Sequence, residues 1–268
     1  MNEIIIKGLA VMGGLGLAFS VTLAYLSHRL KVESNPLVEK VLDILPGINC
    51  GACGFSSCRN FAEAIVAERK PFTCIPGGED VNRKVSQLLG IQSQEVKRVK
   101  AVVHCGATKD EKKVSSFYVG PTSCAFVDIT LGGLDCKYGC IGLGDCVSVC
   151  PAGAISIKRG KVVIDIKKCI GCGRCAKVCP RNLFELVPWQ GESKIYFVAC
   201  NNEEKVGYVK TVCERGCIGC GICVRIKDSP FYLQNNLSHI NYQQIFNQEI
   251  LEEAKNKCPT KCIQELDA

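Results

Sequence analysis

The organisation of this chain is decided by the stretch Cys169-Ile-Gly-Cys172-Gly-Arg-Cys175-Ala-Lys-Val-Cys179-Pro180. Two residues separate the first cysteine from the second and the second from the third, so one loop can bind three corners of a cubane of iron and sulfide. The fourth cysteine stands directly before a proline and, with this spacing, reaches across to a second cluster. The stretch therefore predicts two [4Fe–4S] clusters, and it requires a matching stretch elsewhere in the chain.

The matching stretch lies upstream and reads Cys136-Lys-Tyr-Gly-Cys140-Ile-Gly-Leu143-Gly-Asp-Cys146-Val-Ser-Val-Cys150-Pro151. Leu143 replaces its middle cysteine, and we infer that Cys136 supplies the missing ligand. The crossover gives two ligand sets, which are Cys136, Cys140, Cys146 and Cys179 for one cluster and Cys150, Cys169, Cys172 and Cys175 for the other. Residues 154–157 and 162–166 are predicted to form a hairpin that turns near Arg159-Gly160. A zinc ribbon does not need interlocked cysteine–proline ends, so the spacing is typical of a two-cluster ferredoxin.

A third cysteine group repeats the second with losses. The alignment pairs Cys213 with Cys136, Cys217 with Cys140, Cys220 with Leu143, Cys223 with Cys146 and Lys227 with Cys150. The later ligand positions carry Ile245, Gln248 and Leu251. This joint loss predicts that one whole cluster is missing from the repeat, and that a helix at 248–256 fills the space. The remaining cluster keeps a full ligand set, which is Cys217, Cys220, Cys223 and Cys258.

The repeat extends further upstream, because Ala101-Val-Val-His-Cys105 is similar to Tyr196-Phe-Val-Ala-Cys200. Each segment is predicted to be a strand that ends in a cysteine. Five cysteines have no assigned role, namely Cys105, Cys124, Cys200, Cys213 and Cys262. Buried structural thiols are the default interpretation for them. Cys213 is the strongest candidate for an exception, because it aligns with Cys136.

The first cysteine group reads Asn49-Cys50-Gly-Ala-Cys53-Gly-Phe-Ser-Ser-Cys58 and is completed by Cys74. Glycines beside the cysteines leave backbone N–H groups free to bond to sulfur. Four thiolates also suit zinc, but the spacing favours a cubane. Ser56 or Ser57 is expected to cap a helix that begins near Cys58.

The N-terminal region is predicted to cross a membrane. No residue from Gly8 to Leu26 is charged, and isoleucines at 4–6 extend the apolar stretch. That length spans the bilayer core as a helix, whereas a secretory signal, the alternative, has a shorter core and a small-residue cleavage site. Arg29 and Lys31 follow the span. The positive-inside rule therefore predicts a single-pass protein of the cell (inner) membrane with its soluble part in the cytoplasm.

The composition agrees with metal binding. The chain has 268 residues, 21 cysteines and a formal net charge of +7. Tight cysteine groups and an odd number of cysteines indicate metal binding rather than disulfides.

Basic residues lie between the first and second cysteine groups. They are predicted to form either a solvated face or a docking surface for an acidic partner, and they are Arg83, Lys84, Lys97, Arg98, Lys100, Lys109, Lys112 and Lys113. No nucleic-acid-binding signature is found, and the histidines His28, His104 and His239 lack ligand spacing, so no catalytic residue is assigned.

The order of these parts carries a family resemblance. The stretches Asn49-Cys-Gly-Ala-Cys-Gly-Phe and Tyr138-Gly-Cys-Ile-Gly-Leu-Gly-Asp-Cys closely resemble the B subunit of Rnf complexes, and the likeness covers almost the full length. The first cysteine group also resembles the small [4Fe–4S] domain of the large subunit of corrinoid iron–sulfur proteins. The predicted fold class is α+β. Its segments are a transmembrane anchor (1–27), a four-cysteine domain (28–80), a basic connecting segment (81–130), a two-cluster ferredoxin-like domain (131–190) and a degenerate one-cluster repeat (191–268).

The resemblance implies a subunit of a membrane-bound ferredoxin:NAD⁺ oxidoreductase that moves Na⁺ or H⁺. This subunit would take electrons from soluble ferredoxin and pass them to partner subunits through four [4Fe–4S] clusters, so that the isolated chain is an electron carrier. No motif for nucleotide or flavin is found, so those groups would be bound elsewhere in the complex. Since soluble ferredoxins are typically acidic, reversing the charges of Lys112 and Lys113 is expected to slow reduction by ferredoxin.

Two other classes of function remain open at this stage. One is a membrane-tethered ferredoxin that serves another redox enzyme, such as a hydrogenase or a redox-sensor reductase. The other is a non-redox protein, either a zinc-bound scaffold or an iron–sulfur sensor. Metal content and colour distinguish the second class from an electron carrier.

Overall fold

The computed structural model describes residues 2–29, 35–95, 98–130, 133–189, 191, 194–243 and 247–267. Three residues that entered the sequence predictions, Lys31, Lys97 and Ile245, lie outside these ranges. The chain divides between Lys40 and Val41 into two compact units.

The first unit contains one long apolar helix, α1 (Asn2–Arg29). Its segment Ile5–Arg29 reaches a mean hydropathy of 1.9 and is, by length and composition, able to cross a membrane. Polar groups on such a helix need internal partners. The hydroxyls of Ser20 and Thr22 donate to the carbonyls of Gly16 and Ala18, at 2.8 and 2.7 Å. The predicted apolar helix is therefore confirmed.

Three helices come before the ferredoxin-like region, namely α2 (Pro36–Ile44), α3 (Cys58–Glu68) and α4 (Gly78–Leu89). Helix α3 begins where predicted, because the Ser57 hydroxyl accepts a hydrogen bond from the Asn60 amide at 3.1 Å. The Arg69 guanidinium at the end of α3 donates to the Leu89 carbonyl at the end of α4. The Arg69 contact holds α3 against α4, and the segment that connects these two helices carries Cys74.

A strand, a hairpin and a closing strand form the first repeat (residues 99–188). Its elements are β1 (Val99–Val103), α5 (Cys124–Ile129), α6 (Asp145–Ser148), β2 (Ile155–Lys158), β3 (Lys161–Ile164), α7 (Arg174–Val178) and β4 (Phe184–Pro188). The β2–β3 hairpin is antiparallel and turns at Arg159 and Gly160, both with positive φ, as predicted. Strand β1 lies in the segment predicted as a connection, and it pairs antiparallel with β4.

The second repeat (residues 195–266) has the same strand topology. Its elements are β5 (Ile195–Val198), α8 (Val206–Val212), β6 (Phe231–Gln234), β7 (Leu237–Ile240), α9 (Gln248–Lys257) and β8 (Ile263–Leu266). Strands β6 and β7 form the hairpin, and β5 pairs antiparallel with β8. Helix α9 lies where a helix was predicted, and its Leu251 and Ala254 are buried in the core of the repeat.

The two repeats share one apolar interface. Val102 and Val187 from the β1–β4 pair lie in the same cluster as Ile195, Phe197 and Ala199 from the second repeat. All five side chains are almost fully buried. Burial of an aliphatic or aromatic side chain contributes about 1.5–3 kcal/mol, so this interface holds the two strand pairs in a fixed relation. The fold is α+β, as predicted.

Gly171 permits a close approach that we expect to matter for stability. A Cβ at Gly171 would collide with the Val99 carbonyl oxygen and lie 2.9 Å from Val99 Cγ2. Gly153 has a similar positive φ but open space around it, so it is a matched control. We predict that Gly171→Ala lowers the midpoint of thermal unfolding by roughly 5 °C more than Gly153→Ala does. Equal midpoints, measured by circular dichroism, would contradict this packing.

Candidate iron–sulfur sites

Four thiols of the N-terminal helices surround one cavity. This Cys50 group, made of Cys50, Cys53, Cys58 and Cys74, lines a cavity of about 330 Å³. The side-chain oxygen of Asn49 accepts a hydrogen bond from the Cys58 amide at 2.8 Å. The buried amide of Asn82 bonds to both the N–H and the carbonyl of Cys74, at 2.7 and 2.8 Å. The structure therefore brings the four predicted cysteines together, with the loop and the remote Cys74 each held by an asparagine.

The Cys169 group lies in the first repeat. Its members are Cys150, Cys169, Cys172 and Cys175, and they line a cavity of about 340 Å³. Gly171 and Gly173 have positive φ, which lets the loop turn twice within a few residues. Cys150 comes from the other half, and its sulfur accepts a hydrogen bond from the Ala154 amide at 3.3 Å. This is the predicted crossover set.

The Cys140 group differs from its predicted membership. Cys140, Cys146 and Cys179 line a cavity of about 390 Å³, and the fourth cysteine at this cavity is Cys124. The Asp145 carboxylate, next to Cys146, accepts hydrogen bonds from the Ser123 hydroxyl and the Cys124 amide at 2.8 and 2.9 Å. These bonds anchor the start of α5 beside the ligand loop, and so bring Cys124 to the cavity.

Cys136, which was predicted in this group, lies elsewhere. It lines a neighbouring cavity together with Cys105, Cys200 and Cys213. The Arg181 guanidinium donates to the carbonyls of Cys136 and Gly139, at 2.9 and 2.6 Å. This contact fixes the turn that carries Cys136, whose sulfur lies near Asn202 of the second repeat, 3.6 Å from its side-chain nitrogen. The structure thus places Cys136 at a different cavity from Cys140, Cys146 and Cys179, with which it was predicted to bind.

The Cys217 group, made of Cys217, Cys220, Cys223 and Cys258, lies in the second repeat and lines a cavity of about 380 Å³ together with Cys262. Cys220 is the one exposed cysteine of the chain. The Cys262 amide donates to the sulfur of Cys258 at 3.3 Å. The four predicted cysteines are therefore brought together, and one face of the group reaches the surface.

The donor sets fit clusters better than single metal ions. Among the described residues, no three His, Cys, Asp or Glu side chains are placed to hold one metal ion. A zinc site requires four sulfurs about 2.3 Å from one point, and no group of thiols in the described residues is gathered around a point in that way. All 21 cysteines are free thiols. Soft sulfur donors in fours, with amide N–H groups directed at several of them, are the ligands that iron–sulfur clusters use.

Burial makes these thiols poor acids without a cation. It raises the pKa of Cys74 to about 11 and the pKa values of Cys140 and Cys175 to about 12. Cys217 is different, because a hydrogen bond with the Cys262 thiol lowers the pKa of Cys217 to about 6. Metal ligands have to be thiolates, so a bound cation would favour the ionised form of Cys74, Cys140 and Cys175 against this effect of burial.

The basic surface predicted between the first two cysteine groups is partly wrong. Lys100 and Lys112 are buried. The Lys112 ammonium donates to the carbonyls of Cys140 and Gly160, at 2.9 and 3.4 Å. Since reversing the charge of Lys112 would disturb the core, the double reversal of Lys112 and Lys113 does not test a docking surface.

Two family models match the chain. One, described as "Putative Fe-S cluster", matches residues 45–76, and the other, "4Fe-4S dicluster domain", matches residues 135–183. The first range encloses the Cys50 group. The second encloses the Cys169 group and three members of the Cys140 group, while Cys124 lies outside it.

Curated relatives match over most of their length. The chain is 36% identical to the B subunit of the ion-translocating oxidoreductase complex of Methanosarcina acetivorans, over 83% of this chain and 84% of the relative. It is 37% identical to the B subunit of the proton-translocating ferredoxin:NAD⁺ oxidoreductase complex of Clostridium ljungdahlii, over 98% and 93%. This chain belongs to the family of B subunits of ion-translocating oxidoreductase complexes. The B subunit of the Na⁺-translocating ferredoxin:NAD⁺ oxidoreductase complex of Acetobacterium woodii is 32% identical over 98% and 78%.

Cys124 is the residue of these iron–sulfur sites that sequence reasoning missed. It stands alone in Pro121-Thr-Ser-Cys124, without ligand spacing. The one available signal is Leu143, which breaks the second cysteine run and leaves a ligand to be supplied from outside it. Because Cys136 lies closer in sequence, that signal pointed to Cys136 and not to Cys124.

Arg174 joins the Cys50 group to the Cys169 group. Its guanidinium donates to the carbonyls of Asn49 and Cys50, at 2.9 and 3.3 Å. We predict that Arg174→Ala speeds amide hydrogen exchange in residues 47–55 about tenfold, because a hydrogen bond from a charged donor is worth about 1.5–3 kcal/mol. Lys177→Ala, which removes an exposed lysine of the same helix, is the control. Unchanged exchange in the arginine variant would show that the contact does not hold the loop.

Proposed function

We propose that this chain is the electron-transferring B subunit of a ferredoxin:NAD⁺ oxidoreductase complex. It accepts electrons one at a time from reduced ferredoxin, which is oxidised, and passes them to partner subunits that reduce NAD⁺ and move Na⁺ or H⁺. The observation that carries the proposal is the assembly of free thiols in fours around separate cavities, in a chain of this family. The names of the relatives supply the donor, the acceptor and the ions.

The proposed ligand sets are those that line the cavities. They are Cys50, Cys53, Cys58 and Cys74; Cys150, Cys169, Cys172 and Cys175; Cys124, Cys140, Cys146 and Cys179; and Cys217, Cys220, Cys223 and Cys258. A [4Fe–4S] cluster, when bound, supplies a one-electron acceptor and donor. The chain's own residues set the spacing of the sites and bury six of these sixteen cysteines, namely Cys74, Cys140, Cys146, Cys175, Cys217 and Cys223.

The sites are held in succession by direct contacts. Arg174 joins the Cys50 group to the Cys169 group. The Cys169 and Cys140 groups exchange cysteines, because Cys150 and Cys179 each leave their own loop for the other cavity. Such rigid links favour electron transfer, since they keep the distances between redox groups short and constant.

The exposed face of the Cys217 group suits an acidic partner. Cys220 is exposed, and the guanidinium of Arg225 donates to its carbonyl at 2.7 Å. Arg225, Lys227 and Lys261 are exposed around the same group. This basic surface replaces Lys112 and Lys113 as the proposed docking site for soluble ferredoxin.

The membrane arrangement is also part of the proposal. Helix α1 anchors the protein in the cell membrane as a single span, and Arg29 follows its apolar part. The positive-inside rule supports a cytoplasmic location for the sites, where soluble ferredoxin is available.

Ferredoxin-driven reduction tests the function directly. With a small catalytic amount of ferredoxin kept reduced by its own reductase, the anaerobically purified chain, in large excess, is expected to lose its visible iron–sulfur absorption as electrons arrive, and to keep it when ferredoxin is left out. No reduction of an iron-loaded chain would overturn the proposal.

Charge reversal tests the docking surface. We predict that the double variant Arg225→Glu and Lys227→Glu slows reduction by ferredoxin several-fold, most at low ionic strength, because electrostatic steering is screened by salt. The double variant Lys84→Glu and Lys210→Glu makes the same change in net charge at exposed positions elsewhere and is expected to have little effect. Equal slowing in both variants would assign the effect to net charge rather than to this surface.

A further inference from the structure

A fifth group of four thiols lies between the two repeats. This Cys105 group, made of Cys105, Cys136, Cys200 and Cys213, lines a cavity of about 360 Å³, similar in size to the other four. We propose that these cysteines hold a further [4Fe–4S] cluster. The proposal rests on the iron–sulfur chemistry of the proposed function and adds a site that links the two repeats.

The sequence repeat and the geometry select the same four cysteines independently. Cys105 follows β1 and Cys200 follows β5, which are corresponding strands of the two repeats. Cys136 and Cys213 each stand four residues before the first cysteine of a ligand loop. The site therefore takes the same two positions from each repeat, as a site on a pseudo-twofold axis does. Unrelated structural thiols would have no reason to follow this pattern.

Backbone hydrogen bonds between the repeats hold the two halves of the site together. The Gly106 amide donates to the Ala199 carbonyl at 2.9 Å, one residue from each of the two strand-end cysteines. Beside Cys213, the Glu214 amide donates to the Glu111 carbonyl at 3.0 Å. The ligand-bearing segments are thus fixed relative to one another before any metal is considered.

Amide groups are directed at three of the four sulfurs. The Cys140 amide donates to the sulfur of Cys105 at 3.2 Å, and the Asn202 amide donates to the sulfur of Cys200 at 3.4 Å. The side-chain nitrogen of Asn202 lies 3.6 Å from the sulfur of Cys136. Asn202 is 2% exposed, so its side chain is committed to this site. N–H donors of this kind stabilise the charge on cluster thiolates.

Two basic side chains, Lys112 and Arg215, line the cavity of the Cys105 group. Arg215 pairs with Glu111 at 2.8 Å, whereas the buried ammonium of Lys112 is held by carbonyls. A buried ammonium held by neutral groups is costly, and a negatively charged cluster beside it offsets that cost.

Cys262 is a buried thiol of the same region that lines the cavity of the Cys217 group. It is 1% exposed and lies between Cys200 and Cys217, with hydrogen bonds that connect the three thiols. It does not line the cavity of the Cys105 group. Five groups of four cysteines and Cys262 together account for all 21 cysteines of the chain.

The site occupies the gap between the remaining groups. The Cys140 amide that bonds to Cys105 joins it to the Cys140 group. On the other side, Cys262 connects Cys200 to Cys217. Without a redox group here, the Cys217 group would be separated from the first repeat by the whole interface between the repeats. The fifth cluster would make all the sites one continuous series.

Iron content and electron count test the proposal on the full-length chain, purified anaerobically in detergent. We expect about 20 irons with matching sulfide, and uptake of about five electrons in titration with a europium(II) chelate, one per cluster. The double variant Cys200→Ala and Cys213→Ala removes thiols that belong to no other group, and should lower both values by one fifth. The double variant Lys84→Ala and Lys158→Ala, at exposed positions that line none of the five cavities, is the control and should leave both unchanged.

The outcomes separate this inference from the proposed function. About 16 irons and four electrons in the wild-type chain, or a double variant with wild-type values, would overturn the fifth site and leave the other four intact. A chain that binds no iron would overturn both. If the double variant does not fold, the electron count of the wild-type chain still decides between five clusters and four.

Discussion

Each thiol group draws its members from segments far apart in the chain, so one bound cluster would fix several loops at once. Cys74 joins a loop that begins at Cys50, and Cys179 joins Cys140 across the hairpin of the first repeat. Most elements between these cysteines are short, and many strands have only four residues. Such elements are marginal on their own. The architecture therefore depends on ligation as much as on apolar packing.

The two repeats have the same fold but differ in how many four-thiol groups they contain. The second repeat keeps the strand–hairpin–strand topology of the first but has one four-thiol group where the first has two. Leu251 and Ala254 of α9 are buried in its core. Apolar side chains of α9 thus stand where the alignment puts the ligands of the Cys169 group in the first repeat. The β5–β8 pair also packs against β1–β4.

Cysteine spacing and other short-range sequence patterns predicted well the features that lie within one loop or one element. The triplets at Cys169 and Cys217, the hairpin turn at Gly160 and the helix at 248–257 all follow from short-range patterns, and the structure has them at those positions. Residues that come to a site from a distant part of the sequence were harder to predict. Cys124 reaches its cavity through the hydrogen bonds of Asp145, which no spacing reveals, and the burial of Lys112 depends on tertiary packing. The repeat alignment did single out Cys213, because alignment carries information across the chain.

Metal analysis of the anaerobically purified full-length chain tests the central claim, that cysteine-bound iron–sulfur clusters organise this protein, most directly. The account predicts iron and acid-labile sulfide in equal amounts, no stoichiometric zinc, and loss of the folded Val41–Ala268 unit when the iron is removed by a chelator. Zinc in place of iron, or a chelated protein that keeps its circular dichroism and thermal unfolding midpoint, would contradict it.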